Sequence, residues 1–264
     1  MRFVNISIGT KDSFLLNRAA AEVGVEHPGL VYSNYDSADL DSDPELLLRA
    51  CEDAADADLI TLKVHGDTTY MKRFDRLRKV IDSKGVCSLL VCTDECVTVD
   101  FRYMFKGSDQ EFETACAYYI LGGDDNLRSL FLWAIRRFDG IDIDVPEPSR
   151  PPAQGIYYPG REDIGFESYL GELDPSKPSI GIFFYQKQWL TGNVGNVDGL
   201  IRAVERRGGN PVAVFLQTYE EPLAGAIGVK RVLREHLTVN GEPVLDAIIE
   251  TMSFSQTLIA PPGD

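Results

Sequence analysis

Short apolar runs separated by amphipathic stretches recur along this chain, and that alternation constrains its fold more than any other feature. "RFVNISIG" (2–9), "LVYSNY" (30–35), "DLITLKV" (58–64) and "VCSLLVC" (86–92) each have the length and texture of a strand in a buried parallel sheet. Between them the apolar residues fall at helical spacing. Asp12 is placed to cap a helix that turns Phe14, Leu15, Ala19 and Val23 inward and stops at Gly24. Asp43 and Pro44 form an N-cap and first-turn pair for a helix carrying Leu46, Leu47, Ala50 and Ala54. Thr68 or Thr69 opens a third, with Met71, Phe74, Leu77 and Ile81 in its stripe and Gly85 at its end. Two more helices follow back to back, one over 109–121 and one from Asp124 or Asp125 through Phe138. Such alternation predicts a parallel sheet with right-handed crossovers.

The pattern breaks and then resumes. Seven prolines from Pro146 to Pro178 leave little room for helix or central strand. "SIGIFFY" then starts a second run of strand, helix and strand that continues through "PVAVFLQ" and "LDAIIETMSF". The fold expected is therefore α/β: two parallel-sheet units, flavodoxin-like or Rossmann-like, over residues 1–140 and 179–264, joined by a Pro-rich ordered connector over 141–178. Only about three strands are laid down after residue 179, too few for an independent sheet. The second unit is accordingly expected to be incomplete, a piece of a longer chain.

Charge narrows the partners. With 41 acidic against 26 basic residues and a net charge of −15, the chain lacks the clustered cations that phosphate backbones need, which argues against nucleic acid. No apolar run is long enough to span a membrane and no signal segment opens the chain, so a soluble, cytoplasmic protein is expected. Five cysteines are an odd number for a secreted disulfide framework. Cys87 and Cys92 lie five apart in a strand and should face opposite ways, so buried thiols rather than a metal cluster are expected. Neither GxxxxGK[ST] nor GxGxxG, HExxH or GxSxG occurs. "DGIDID" (139–144) lacks the spacing of a calcium loop.

The densest functional chemistry lies in the loop expected between "SIGIFFY" and the helix that follows. Tyr185, Gln186, Lys187, Gln188 and Trp189 stand at the carboxyl end of a strand, where α/β sheets bind ligands, and Thr191 or Asn193 can cap the next helix. The exposed N–H groups of that helix start suit an anionic group such as a carboxylate. Trp189 offers a flat apolar face, and Lys187 and the glutamines offer donors and acceptors, which fits a planar macrocycle with acid or amide arms. The same residues equally allow Trp189 to plug the gap between the two α/β units while its polar neighbours are merely solvated. Among the three histidines, His65 in "KVHGDTT" is the best placed, again at a strand's carboxyl end.

"SIGIFFYQKQWLTGNVGNVDGLIRAVERRGGNPVAVF", with "GIYYP" before it and "DAIIETMSF" after it, resembles the large subunit of cobaltochelatase (CobN), which is itself similar to the H subunit of magnesium chelatase. The family pattern is a strand, then Tyr-Arg-x-His-Trp-x-x-Gly-Asn, then a helix ending in Glu-x-Arg-Gly. Tyr185, Trp189, Gly192, Asn193, Glu205, Arg207 and Gly208 match it, and Gly155, Ile156, Tyr157 and Pro159 match a Gly-Ile-Tyr-His-Pro element. Gln186, Gln188 and Tyr158 depart from it, replacing an arginine and two histidines. The resemblance implies a part of an ATP-dependent chelatase large subunit, active in cobalamin or chlorophyll biosynthesis. Tyr185, Lys187, Gln188, Trp189, Asn193, Tyr157 and His65 are the expected tetrapyrrole contacts, and no catalytic or metal-ligating residue is expected in this stretch. It implies Co²⁺ or Mg²⁺ as the inserted metal, hydrogenobyrinic acid diamide or protoporphyrin as substrate, and separate AAA+ subunits that use ATP and Mg²⁺. Alone, the chain is expected not to insert metal. A small-molecule sensor of flavodoxin-like or periplasmic-binding-like type, and a glycosyltransferase-like enzyme, are the alternatives; the latter needs a nucleotide-diphosphate site that no motif supplies.

Overall fold

A computed structural model describes residues 1–9, 13–92 and 95–253, without the side chains of residues 95–97 and 223. The expected caps at Asp12, the Cys96 thiol and the segment from Phe254 onward lie outside the described residues. The chain divides into two compact units, Met1–Ser149 and Arg150–Asp264.

The first unit is a doubly wound α/β unit. Its elements run β1 (Arg2–Ile8), α1 (Phe14–Glu26), β2 (Val31–Asp36), α2 (Ser37–Ser42), α3 (Pro44–Ala55), β3 (Leu59–Val64), α4 (Phe74–Lys84), β4 (Cys87–Cys92), α5 (Glu95–Asp100), α6 (Asp109–Leu121) and α7 (Gly123–Asp139). All four strands are parallel, in the order β2-β1-β3-β4. Helices α1, α6 and α7 pack on one face, around Phe3, Leu59, Leu89 and Phe131. Helices α2, α3 and α4 pack on the other, around Val4, Ile6, Ile60 and Leu62. Period-2 alternation in β1 thus feeds two separate cores from one strand. Cys87 joins the first core and Cys92 the second, on opposite faces as their spacing requires.

Local signals were honoured unevenly. Asp43 caps α3 through the N–H groups of Glu45 and Leu46, and Gly85 ends α4 at φ 64°. Helix α1, by contrast, runs past Gly24 to Glu26, and Phe14 is 64% exposed. Its buried stripe is Leu15, Leu16, Ala19, Ala20 and Val23, which already spans the contact with the sheet and leaves the first position over solvent. Gly122, with φ 61°, takes the N-cap of α7 in place of the two aspartates. Residues up to Ser149 are tied to this unit. Tyr118 donates to the Pro146 carbonyl at 2.6 Å, and Asn126 bonds both the N–H and the carbonyl of Ser149.

The second unit comprises β5 (Gly155–Tyr157), α8 (Phe166–Gly171), β6 (Ser179–Tyr185), α9 (Gln186–Leu190), α10 (Gly195–Arg206), β7 (Asn210–Leu216), β8 (Glu220–Glu221), β9 (Ala226–Ile227), α11 (Gly228–His236), β10 (Thr238–Val239), β11 (Glu242–Pro243) and β12 (Ala247–Glu250). Its main sheet has the order β12-β6-β7-β5, with β5 antiparallel to β7 and the other pairings parallel. Residues 150–178, read from the sequence as an extended connector, supply β5 and α8 to this unit. Strands β8 and β9 pair as one small antiparallel ribbon, β10 and β11 as another. Helix α10 covers Ile182, Phe184, Ala213 and Phe215, while α11 covers Phe183, Val212, Val214 and Leu216 on the opposite face. The chain leaving β6 therefore turns to one face and the chain leaving β7 to the other. The carboxyl ends of these two strands form the topological switch point of the sheet, the position where open α/β sheets take ligands.

Candidate functional site

The site is built on that edge. Residues 186–190, expected as a loop, form the short helix α9 directly off the end of β6. Gln186, only 8% exposed, begins it. Its Nε2 donates to the Pro152 carbonyl at 2.7 Å, and its Oε1 accepts from Gln217 Nε2 at 3.0 Å. This amide pair links the residues that follow β6 and β7. Gln186 is thus a structural tie, not the wet donor expected of it. A buried amide keeps such a place only when its donors and acceptor are matched.

Trp189 lies flat against Phe215 of β7, ring centroids 4.2 Å apart and planes 3° from parallel. Phe215 meets Phe184 edge-on at 6.4 Å, and Phe184 meets Tyr157 edge-on at 5.8 Å. An aromatic row therefore runs across the α10 face of the sheet from α9 to β5. Gly155 makes the row possible: a Cβ there would stand 2.7 Å from the tip of the Phe215 ring. Trp189 is half-buried, with one ring face committed to packing. The packing of Trp189 is thus against β7 of its own unit, and the indole is not enclosed.

Helix α9 ends at Leu190 and is followed by Thr191 and by Gly192, whose φ of 67° is the left-handed conformation that glycine adopts without strain. Thr191 Oγ1 bonds back to the carbonyls of Lys187 and Gln188, and the Asn193 N–H donates to the Gln188 carbonyl. Neither side chain caps α10, which starts beyond Val194 with no side-chain cap bond. Asp198 stands in the first turn of α10, so the chain itself places a carboxylate where an anion was expected to bind. Asp198 accepts from the Tyr157 hydroxyl at 2.7 Å; burial first, then this carboxylate, pushes the Tyr157 phenol up to about 12. Tyr158, in the position of a family histidine, donates to Glu205 at 2.7 Å, and that bond is the main cause of its raised pKa. Tyr185 accepts from the Ser253 N–H at 3.0 Å.

Six of the seven expected contact residues, Tyr157, Tyr185, Lys187, Gln188, Trp189 and Asn193, belong to the second unit. Lys187 and Asn193 are exposed and Gln188 half-buried. His65 belongs to the first unit, exposed just past β3, with its N–H donating to the Ile8 carbonyl at 2.9 Å. Sequence reasoning missed Phe215, Gln217 and Asp198. Beside Gln217, a cavity of about 180 Å³ is lined by residues 218–220 and 227–230. Among the described residues, no group of three or more His, Cys, Asp or Glu side chains is arranged to hold a metal ion.

The family model described as CobN/Magnesium Chelatase matches residues 116–262, more than half of the chain and all of the site in the second unit. The chain belongs to that family. An uncharacterized protein of Methanocaldococcus jannaschii is 32% identical over 138 residues, which is 50% of this chain and 11% of that protein. The aerobic cobaltochelatase subunit CobN of a Sinorhizobium species is 26% identical over 117 residues, 41% of this chain and 9% of that subunit. The chain thus spans about a tenth of the length of these two relatives. A solved catalytic subunit of cobaltochelatase from Mycobacterium tuberculosis superposes with a TM-score of 0.49 at 22% identity, over 83% of this chain and 16% of that one.

Proposed function

We propose that this chain is a substrate-handling part of an ATP-dependent cobaltochelatase or magnesium chelatase large subunit, and that α9 and the end of β6 contact the tetrapyrrole. The stacked Trp189–Phe215 pair carries this reading. Phe215 fixes the indole at the sheet edge, and a ring held rigidly at 4.2 Å from its support is a surface on which a flat macrocycle can lie. Lys187, Gln188 and Asn193 around it offer one charge and two amides for the ring's polar arms.

Metal insertion is assigned to the rest of the assembly. It requires deprotonating ring nitrogens and stripping water from Co²⁺ or Mg²⁺, whereas the groups gathered here are an aromatic pair, an ammonium and amides, which are poor ligands for either ion. ATP and Mg²⁺ are used by partner AAA+ subunits, and the setting is cytoplasmic.

The test uses the chain with Trp133→Phe, so that Trp189 is the sole tryptophan. Titration with hydrogenobyrinic acid diamide or protoporphyrin should quench its emission saturably, and Trp189→Ala should weaken binding, measured by ring absorbance, by about tenfold. A folded chain that shows no saturable quenching with either ring overturns the reading. Metallation of either ring by this chain with metal ion, ATP and partner subunits, but without the rest of the large subunit, overturns the assignment of insertion elsewhere.

A further inference from the structure

Helices α3 and α4 lie side by side on one face of the first unit's sheet, their buried residues Leu47, Ala50, Leu77 and Ile81 sharing one core. What they turn outward differs in sign. On α3 an exposed ridge carries Glu45, Glu52 and, at its end, Asp56. Arg49 is exposed on α3 as well, but on the flank of Asp53, whose carboxylate takes the Ser33 and Tyr35 hydroxyls of β2. On α4 and just before it the exposed ridge carries Lys72, Arg76 and Lys79. The Asp41 carboxylate accepts from the Lys72 and Arg73 N–H groups at 2.8 and 3.0 Å, which fixes where that ridge starts. Six basic and two acidic residues fall from Lys72 to Lys84, in a chain of net charge −15. Among the described residues, none of the six ridge side chains makes an ion pair; the pair within α4 joins Arg78 to Asp75. Arg76 reaches toward α3, where its charge offsets part of the rise that burial imposes on the Cys51 thiol. One turn before Cys51, on that same flank, Leu48 is 48% exposed.

We propose that a second copy of this chain docks on the α3/α4 face, with the acidic ridge of each copy on the basic ridge of the other. Both helices follow strands of one parallel sheet and so run the same way. A twofold axis lying between and along them turns α3 of one copy onto α4 of the other and keeps the two parallel. Glu45 then meets the Lys72 end of the opposite ridge and Asp56 the Lys79 end, over about three turns of helix. Leu48 of each copy falls near the axis, an apolar centre within a charged rim. A purely acidic partner would satisfy α4 but set like charge against the α3 ridge, and a purely basic one would do the reverse. A surface of both signs satisfies the two ridges together, and this face is itself such a surface.

The experiment measures the mass of the whole chain in solution by sedimentation equilibrium near physiological salt, where a monomer–dimer equilibrium is expected. Arg76→Glu with Lys79→Glu makes both ridges acidic, and Glu45→Lys with Glu52→Lys makes both basic. Each pair of exposed changes should weaken self-association by about a hundredfold and leave the far-ultraviolet circular dichroism unchanged. An equimolar mixture of the two variants should recover the dimer, because each ridge again meets its opposite. Both variants keep a large negative net charge, so bulk attraction does not produce that recovery. A chain that stays monomeric up to about 0.1 mM overturns the proposal. So does a dimer indifferent to either reversal, whose interface lies elsewhere, and so does a mixture that stays monomeric.

Discussion

The two units finish the carboxyl ends of their sheets differently. In the first, strand register stacks three rows on the α1 face: Tyr32, Phe3, Leu59 and Cys87, then Asn34, Asn5, Thr61 and Leu89, then Asp36, Ser7, Lys63 and Val91. The middle row is knit through Asn5, fully buried, whose Oδ1 accepts from Thr61 and Tyr119 at 2.8 Å and whose Nδ2 donates to Asn34 at 2.7 Å. Asn5 and Thr61 are sealed inside the sheet beneath Tyr119 of helix α6, whereas Asn34, on the edge strand β2, is exposed. In the second unit the corresponding polar contact is one amide pair at the very edge, next to a half-exposed tryptophan and a cavity. A buried network serves uniqueness of packing, whereas the edge pair joins a buried amide to a half-buried one.

The sharpest way to break this contrast is Asn5→Leu. It removes the acceptor of two hydroxyls and the donor to Asn34, and should destabilise the first unit by about 3 kcal/mol. Trp133 reports that unit and Trp189 the other, so urea unfolding of single-tryptophan versions should show the loss at Trp133 alone. Equal shifts at both would mean the network is not confined to one unit.

Trp189→Ala should cost the second unit about 2–3 kcal/mol, less than a fully buried tryptophan because one side is already wet. A change within a few tenths, read by circular dichroism during urea unfolding, would make the stack incidental. Gln186→Leu, which leaves Gln217 without its acceptor, should cost about 1–2 kcal/mol, and should also alter the near-ultraviolet circular dichroism of Trp189 because α9 starts at this residue.

The smallest effect concerns pH. Tyr157 has its phenol raised to about 12, chiefly by burial and then by Asp198, so the neutral form is favoured in the folded chain. The stabilisation is complete below the ordinary phenol value of about 10 and is lost as pH climbs from there to about 12. Asp198→Asn should lower the Tyr157 value, seen as an earlier rise at 295 nm; an unchanged titration would show that burial acts alone.

Much of the first unit was legible in the chain. Its four strands, the stripe of α3 and the Phe74, Leu77 and Ile81 stripe of α4 follow from hydrophobic period, because each element there buries a face that its own spacing defines; α4 nevertheless begins at Phe74, so Thr68, Thr69 and Met71, expected in it, lie before its start. Phe14 was misread for the same reason: period identifies a stripe but not which end of it overhangs the sheet. In the second unit the strand, the Gly-Asn turn and the helix after it were visible, and family likeness pointed to Tyr157, Trp189 and Asn193. The helical fold of residues 186–190 was hidden by a polar, aromatic composition with no apolar period.

Local sequence determined where strands and helices form, since propensity, spacing and caps act over a few residues. Tertiary structure alone decided what the candidate site residues touch. Gln186 meets Gln217 across 31 positions of chain, and Trp189 meets Phe215, because parallel pairing of β6 with β7 brings the two carboxyl ends side by side. No local signal in the sequence encodes that register; it is set by burying both faces of the sheet at once.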